Sequence, residues 1–159
     1  MIDELVRKVA VHDDCSVLPA CGHPIVRPGL TLPSDVERFY AICGGILLFR
    51  SSLFPIEVVP PSAFESANLA VTGAWSHGDR SDDWYVIARS GNDQLVSIDL
   101  NPKRLGHCYD SFWDRHAVAG SSVILANSFE DFLLHCIRYG GRGLYWLAPG
   151  YVSLGDAYD

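Results

Sequence analysis

Sulfur and imidazole ligands crowd together in one place, the run His12, Asp13, Asp14, Cys15, followed by Cys21 and His23. Zinc accepts such groups, but its structural sites usually join two ligand pairs drawn from separate parts of a chain. No second pair stands at a matching distance, so these residues read as a helix end and buried thiols, and no metal is expected. A thiol nucleophile would need a depressed pKa and a base within hydrogen-bond reach. Cys108 directly follows His107, yet neighbours on a strand point to opposite faces. Cys43 falls at the C-terminal end of an expected helix, where the helix dipole raises a thiol's pKa, and it reads as core. His77, His116 and His135 each stand apart from other reactive groups and read as solvated or locally hydrogen-bonded side chains.

Phosphate chemistry finds no better support. The run Gly140-Gly141-Arg142-Gly143 follows an expected helix, so it cannot present helix N-terminal amides to an anion. The P-loop, H-E-x-x-H, G-x-S-x-G and G-x-G-x-x-G patterns are missing. No catalytic residue and no cofactor is assigned, with a thiol enzyme or a metal-binding protein kept as alternatives. What remains is a set of rings among acids. Trp75 precedes Asp79, Asp82 and Asp83, while Tyr109, Phe112 and Trp113 interleave with Asp110 and Asp114. Large rings anchor protein interfaces and carboxylates steer basic partners towards them. A core of rings with a solvated acidic rim would give the same pattern. Read as a binding surface, it consists of Trp75, Asp79, Asp82, Asp83, Asp110, Trp113 and Asp114.

These groups must be positioned by a chain of 159 residues, enough for one domain with a sizeable core. Apolar residues make up 48% and charged residues 19%, a globular composition. The net charge of -7 argues against direct contact with nucleic acid or anionic lipid, which require Lys/Arg clusters, and favours a basic protein partner. Met1-Ile2-Asp3-Glu4 puts acids where an export signal carries bases, and apolar runs such as Ile46 to Phe49 and Val123 to Ala126 are far below a membrane span. Five cysteines without a C-x-x-C pair suit free thiols in a reducing compartment, so a cytoplasmic location is expected.

Apolar spacing predicts helices over residues 3 to 11, 34 to 43 and 128 to 139. Pro33 suits the first turn of the second, and Ser34-Asp35-Val36-Glu37 fits a capping box. Gly44-Gly45 should end it through a left-handed residue. A Pro/Gly-rich connector from Pro19 to Leu32 precedes it. Strand-like runs follow at Ile46 to Phe49, Ile56 to Val59, Trp84 to Ala88, Leu95 to Leu100 and Leu105 to Tyr109, the last three linked by hairpin-length turns. A short helix within Ser62 to Val71 and an exposed acidic loop over Thr72 to Asp83 separate the two groups. Ser128 caps the final helix, whose buried face is Phe129, Phe132, Leu133, Cys136 and Ile137, and Gly140-Gly141 stops it. The expected core contains Phe39, Tyr40, Ile87, Ile98, Phe129, Phe132 and Leu133. Residues 144 to 159 form a tail too apolar to stand free, so the expectation is one domain over residues 1 to 159 with that tail packed on it.

The order of these blocks resembles a known family. Leu32-Pro33-Ser34-Asp35-Val36-Glu37-Arg38-Phe39-Tyr40 with Gly44-Gly45, then Val86-Ile87-Ala88, Gly91-Asn92-Asp93, Ser97-Ile98-Asp99-Leu100, Gly106, Tyr109 and Ser128-Phe129-Glu130-Asp131-Phe132-Leu133 are similar to the SUKH superfamily, the Smi/Knr-like group. The match runs from about residue 30 to 138. It implies an α+β fold with a mixed, largely antiparallel sheet flanked by helices. It also implies an immunity protein that binds and neutralises a toxin, often a nuclease and hence basic, or alternatively a regulatory scaffold. Both are roles in protein binding.

Overall fold

The computed structural model describes residues 1–159. Its first helix, α1 (Ile2–Ala10), buries Ile2, Leu5, Val6 and Val9, one stripe at helical spacing. Asp3 and Glu4 in its first turn and Arg7 and Lys8 in its last suit the helix dipole. The second, α2 (Ser34–Ile42), buries Val36, Phe39 and Tyr40. The expected capping box does not form. Pro33 takes the N-cap position, which it can occupy without offering a side-chain acceptor. The Asp35 carboxylate accepts from the Val36 amide at 2.9 Å and, through its other oxygen, from the Glu130 amide at 2.9 Å. One acid therefore serves the first turns of two helices, α2 and α4 (Phe129–Tyr139).

The exit from α2 also differs from expectation. Cys43 is extended, not followed by a left-handed cap, and the glycines are required by close approach. A methyl on Gly44 would lie 2.3 Å from the Pro19 carbonyl oxygen, and one on Gly45 would lie 2.9 Å from that of Val58. The connector passes directly over this corner, held by bonds from the Leu18 amide to the Gly45 carbonyl and from the Gly44 amide to the Leu18 carbonyl, both 2.9 Å.

Seven strands form one sheet in which spatial order equals chain order: β1 (Ser16–Val17), β2 (Ile46–Leu48), β3 (Ile56–Val58), β4 (Trp84–Ser90), β5 (Gln94–Asp99), β6 (Cys108–Asp110) and β7 (Ile124–Ala126). All six pairs are antiparallel, so the sheet is not mixed. It also begins earlier and ends later than the runs between residues 46 and 109. Ser16–Val17 is too short to show a period, and Ile124–Ala126 is an apolar run without alternation. Leu105 to His107 turn instead of extending, with the Gly106 amide bonded to the Asp99 carbonyl at 2.9 Å.

Register divides the side chains between two covered faces. Tyr85, Ile98, Cys108 and Ala126 are opposite one another across β4 to β7 and share the helical side. There Tyr85 stacks on Phe64 and the rings continue through Tyr40 and Phe39 to Phe129. Trp84, Ser97, Asp99 and Tyr109 project from the other side. That face is covered by α3 (Ala67–Thr72), by the turn after β6 and by the end of the chain, where Trp84 meets the rings of His116 and Tyr158. Residues 144 to 159 pack on the sheet edge: Tyr145 donates its hydroxyl to the Leu125 carbonyl at 2.9 Å, and the Ala157 amide reaches the Ser122 carbonyl at 2.8 Å. No helix is long and apolar enough to cross a membrane.

The seven expected core residues are all buried to within 1% exposure. The last helix begins as expected, with the Ser128 hydroxyl accepting from the Asp131 amide at 3.1 Å, and ends at left-handed Gly140. Phe132 packs against Tyr145 and Trp146 of the tail as well as facing the sheet. Phe132→Ala should therefore lower stability by about 3 to 5 kcal/mol, seen as a lower urea midpoint, because the cavity opens between two elements that cannot both collapse into it. An unchanged midpoint would show that the inner face of α4 is assigned wrongly.

Candidate functional site

On the face opposite α2 and α4, the strands carry polar groups that must be satisfied inside the protein. Asp99, at the end of β5, is fully buried. Its Oδ2 accepts from Tyr109 Oη at 2.7 Å, Arg104 Nε at 2.8 Å and Trp84 Nε1 at 3.1 Å, and its Oδ1 from the Asn101 amide at 2.9 Å. Burial first, and the Asp99 charge second, push the Tyr109 phenol far above its usual range. Arg104 is held in its charged form by the same carboxylate against the opposing effect of burial. Every lone pair used here is committed to structure.

A second network runs beside it. Tyr158 donates to Asp79 Oδ2 at 2.6 Å, and Ser81 Oγ donates to the same oxygen at 2.6 Å. Asn68 Nδ2 donates to Ser81 Oγ at 3.1 Å, while Asn68 Oδ1 lies 2.7 Å from His116 Nε2. His116 Nδ1 is 3.0 Å from Ser111 Oγ, which is 2.7 Å from Ser97 Oγ in β5. With its amide donating to Ser81, Asn68 can only accept from His116, so the imidazole carries its proton on Nε2 and accepts from Ser111. Ser111, His116 and Asn68 thus follow the order of nucleophile, base and orienting group. Ser111 is fully buried, however, so no substrate carbonyl reaches its oxygen. Burial lowers the His116 pKa to about 4, with the Asp79 charge acting in the opposite direction as the smaller cause.

Four of the five cysteines and most of the ligand-rich run also serve structure, while Cys21, expected among the buried thiols, is exposed. Cys108 Sγ lies 3.6 Å from the Gly106 carbonyl, away from His107, and Cys43 Sγ lies 3.5 Å from that of Phe39. Burial raises the pKa of Cys43, Cys108 and Cys136, the reverse of activation. Cys15 Sγ accepts from the Phe49 amide at 3.5 Å, His12 Nδ1 from the Asp14 amide at 3.1 Å, and Asp14 accepts the Ser51 hydroxyl at 2.7 Å. His23 Nε2 lies 3.1 Å from the Glu37 carbonyl. No three His, Cys, Asp or Glu side chains converge on a metal-sized position.

Of the seven residues read as a binding surface, the structure brings the two segments together. Asn68 spans them, touching Ser81 beside the acidic loop and His116 at the end of the turn that bears Trp113. Most of their acids are engaged in bonds within the protein, although only Asp110 is buried and Asp79 stays exposed. Asp79 belongs to the network above. Asp82 Oδ2 accepts from the Gly78 amide at 2.6 Å, and Asp83 pairs with Arg27 of the connector and accepts from Asn101 at 2.9 Å. Asp110 is buried in β6, where it accepts from Arg115 Nε at 2.9 Å, the Phe112 amide at 3.0 Å and Gln94 at 3.2 Å. Trp75, Trp113 and Asp114 face water, the rings at 49% and 65% exposure. Trp75 walls a cavity of about 580 Å³ with Ile25, Val26, Arg27, His77 and Tyr85. The connector side of that cavity is a feature the sequence did not suggest, because nothing in a Pro/Gly-rich run announces which distant acid its arginine will meet.

The sequence pattern of the SMI1 / KNR4 family (SUKH-1) matches residues 27–135. The chain is also similar to the protein called Immunity protein YokJ of Bacillus subtilis (strain 168), with 41% identity over 99% of this chain and 96% of the relative. No solved structure matches.

Two measurements check the chemistry. His116 keeps a folded-state pKa below its unfolded value near 6.5, so the unfolded chain binds the extra proton first. Its contribution to stability is complete above about pH 6.5 and is lost as pH falls towards about 4, amounting to a few kcal/mol at about 1.4 kcal/mol per unit. His116→Gln should flatten that part of the wild-type stability profile, and an identical slope in the variant would show that another group titrates. Titration of the native protein with a thiol reagent should find one fast cysteine, the exposed Cys21, and the other four only after unfolding. A fast reaction at Cys43 or Cys108 would reopen thiol chemistry.

Proposed function

The chain belongs to the SMI1 / KNR4 family (SUKH-1), and on that premise we propose that it works as an immunity protein that neutralises a cognate toxin by binding it. The observation that carries this reading is the 41% identity to an immunity protein across almost the whole of both chains. The site chemistry supports it, since the buried serine, histidine and thiols serve packing and no reacting centre opens to a substrate. Free cysteines suit the reducing cytoplasm, where an internal toxin would be met. The whole chain, residues 1 to 159, would act as one unit, because its tail supplies Tyr158 to the network beneath the acidic loop.

The partner we propose is a basic domain, such as a nuclease with a cleft for phosphates. A net charge of -7 attracts it at long range. The surface we assign to this encounter is the pair of adjoining segments that carry Trp75, Asp79, Asp82 and Asp83, and Asp110, Trp113 and Asp114. Within it the roles divide. Trp75, Trp113 and Asp114 are free to touch the partner, whereas Asp79, Asp82, Asp83 and Asp110 fix the loops and add to the field.

Co-expression with any toxin encoded beside it tests the reading: wild-type protein should protect a sensitive host and bind the purified toxin domain. Neither protection nor binding would leave the scaffold role in its place. In a kinetic binding assay Trp113→Ala should chiefly speed dissociation, since a buried ring sets residence time, and Asp114→Asn should slow association and weaken its salt dependence. Equal effects of both substitutions on both rates would contradict this division.

A further inference from the structure

Around the end of α4 the sign of the surface reverses. His135, with Arg138 and Tyr139 three and four residues on, marks one side of α4, and Arg142, beyond the left-handed Gly140 and Gly141, lines the same cleft. Tyr145 and Tyr151 face it across a cleft of about 430 Å³. None of the nine residues lining this cleft is an acid, in a chain where acids outnumber Lys and Arg by 19 to 12. Arg27, Arg38, Arg89, Arg104 and Arg115 each hold a carboxylate. Arg138 and Arg142 pair with none, so their charge is uncompensated at short range.

The cleft is also continuous with an apolar hollow. Arg142 stacks 4.6 Å above the Tyr139 ring and donates Nε to the Tyr139 carbonyl at 2.9 Å, which fixes the fork and leaves its outer nitrogens free. The hydroxyls of Tyr145 and Tyr151 point inward to the Leu125 and Ile124 carbonyls, presenting ring edges to the cleft. Across Ala148-Pro149 a second hollow of about 250 Å³ shares Tyr139 and Arg142 and adds Phe54 and Leu147, which are 50% and 53% exposed. A helix C-terminus favours one cation in its last turn, which accounts for Arg138. It does not account for Arg142 beyond the helix, for three tyrosines, or for the neighbouring apolar hollow. Rings and arginine without acids are the composition of an interface centre.

We infer that this double cleft docks an acidic and apolar segment of the toxin, a carboxylate gripped between Arg138 and Arg142 and an adjacent apolar side chain seated beside Phe54 and Leu147. The inference rests on the immunity reading and adds a second contact of opposite polarity to the acidic surface. Two patches of opposite sign fix the orientation of a partner that net charge alone would only attract.

The test uses the full chain and the catalytically inactivated toxin domain encoded beside it. Hydrogen exchange of the complex should show protection across residues 135 to 151. The double variant R138E/R142E, and separately R138A, should keep the wild-type melting midpoint within a few degrees and dissociate about tenfold faster or more, the range for losing charge-assisted bonds. A partner variant with the matching carboxylate changed to lysine should recover part of that loss against R138E/R142E. If wild-type protein binds and protects while residues 135 to 151 stay unprotected and R138A and R138E/R142E dissociate at the wild-type rate, the docking inference is wrong and the immunity reading stands. If wild-type protein binds no toxin, both fall together.

Discussion

A sheet covered on both faces leaves no water for the polar groups of its strands, and this requirement organises the rest of the molecule. On one side the strands present mainly rings, aliphatic groups and the Cys108 thiol to α1, α2 and α4. On the other, Asp99, Ser97 and Tyr109 point into the interior, where they bond one another and side chains from the segments that cover the face. Arg104 is supplied by the turn after β5, Ser111 and His116 by the turn after β6, Asn68 by α3, and Tyr158 by the end of the chain. Leaving one of these unmatched would cost more than a typical hydrogen bond contributes, so the irregular segments are tied to the strands.

That requirement explains how far the sequence could be read. Periodicity marks residues whose environment is set by their own element, and the helices α1, α2 and α4, the central hairpins and the seven core residues lie where it places them. It fails where position is set by something far away. Ser16–Val17 is a strand only because β2 lies beside it, and Ile124–Ala126 only because β6 does. Gly44 and Gly45 look like a helix stop but are demanded by the backbone passing over them. Ser34 and Glu37 look like a capping box, yet Asp35 does the work, for two helices at once.

The same distinction applies to the surface proposed for binding. Aromatic residues among acids were legible as a pattern, and the structure places the two segments next to each other through Asn68. Which acids remain free was not legible, since Asp83 depends on Arg27 more than fifty positions away and Asp110 on its place in β6. The cationic cleft at the end of α4 had a partial signal, His135, Arg138 and Tyr139 at helical spacing, but Arg142 reaches it only through the turn at Gly140 and Gly141, which no periodicity describes.

Nearest-neighbour strand order bears on time as well as on shape. Each strand lies beside the one before it in the chain, so β2 to β3, β4 to β5 and β5 to β6 close short loops, while β1 to β2, β3 to β4 and β6 to β7 span longer stretches. Folding rates rise as contacts become more local. For the immunity role proposed above, a sheet that assembles by successive hairpins would be an advantage, because the interval between synthesis and protection is then set by the few long closures that remain.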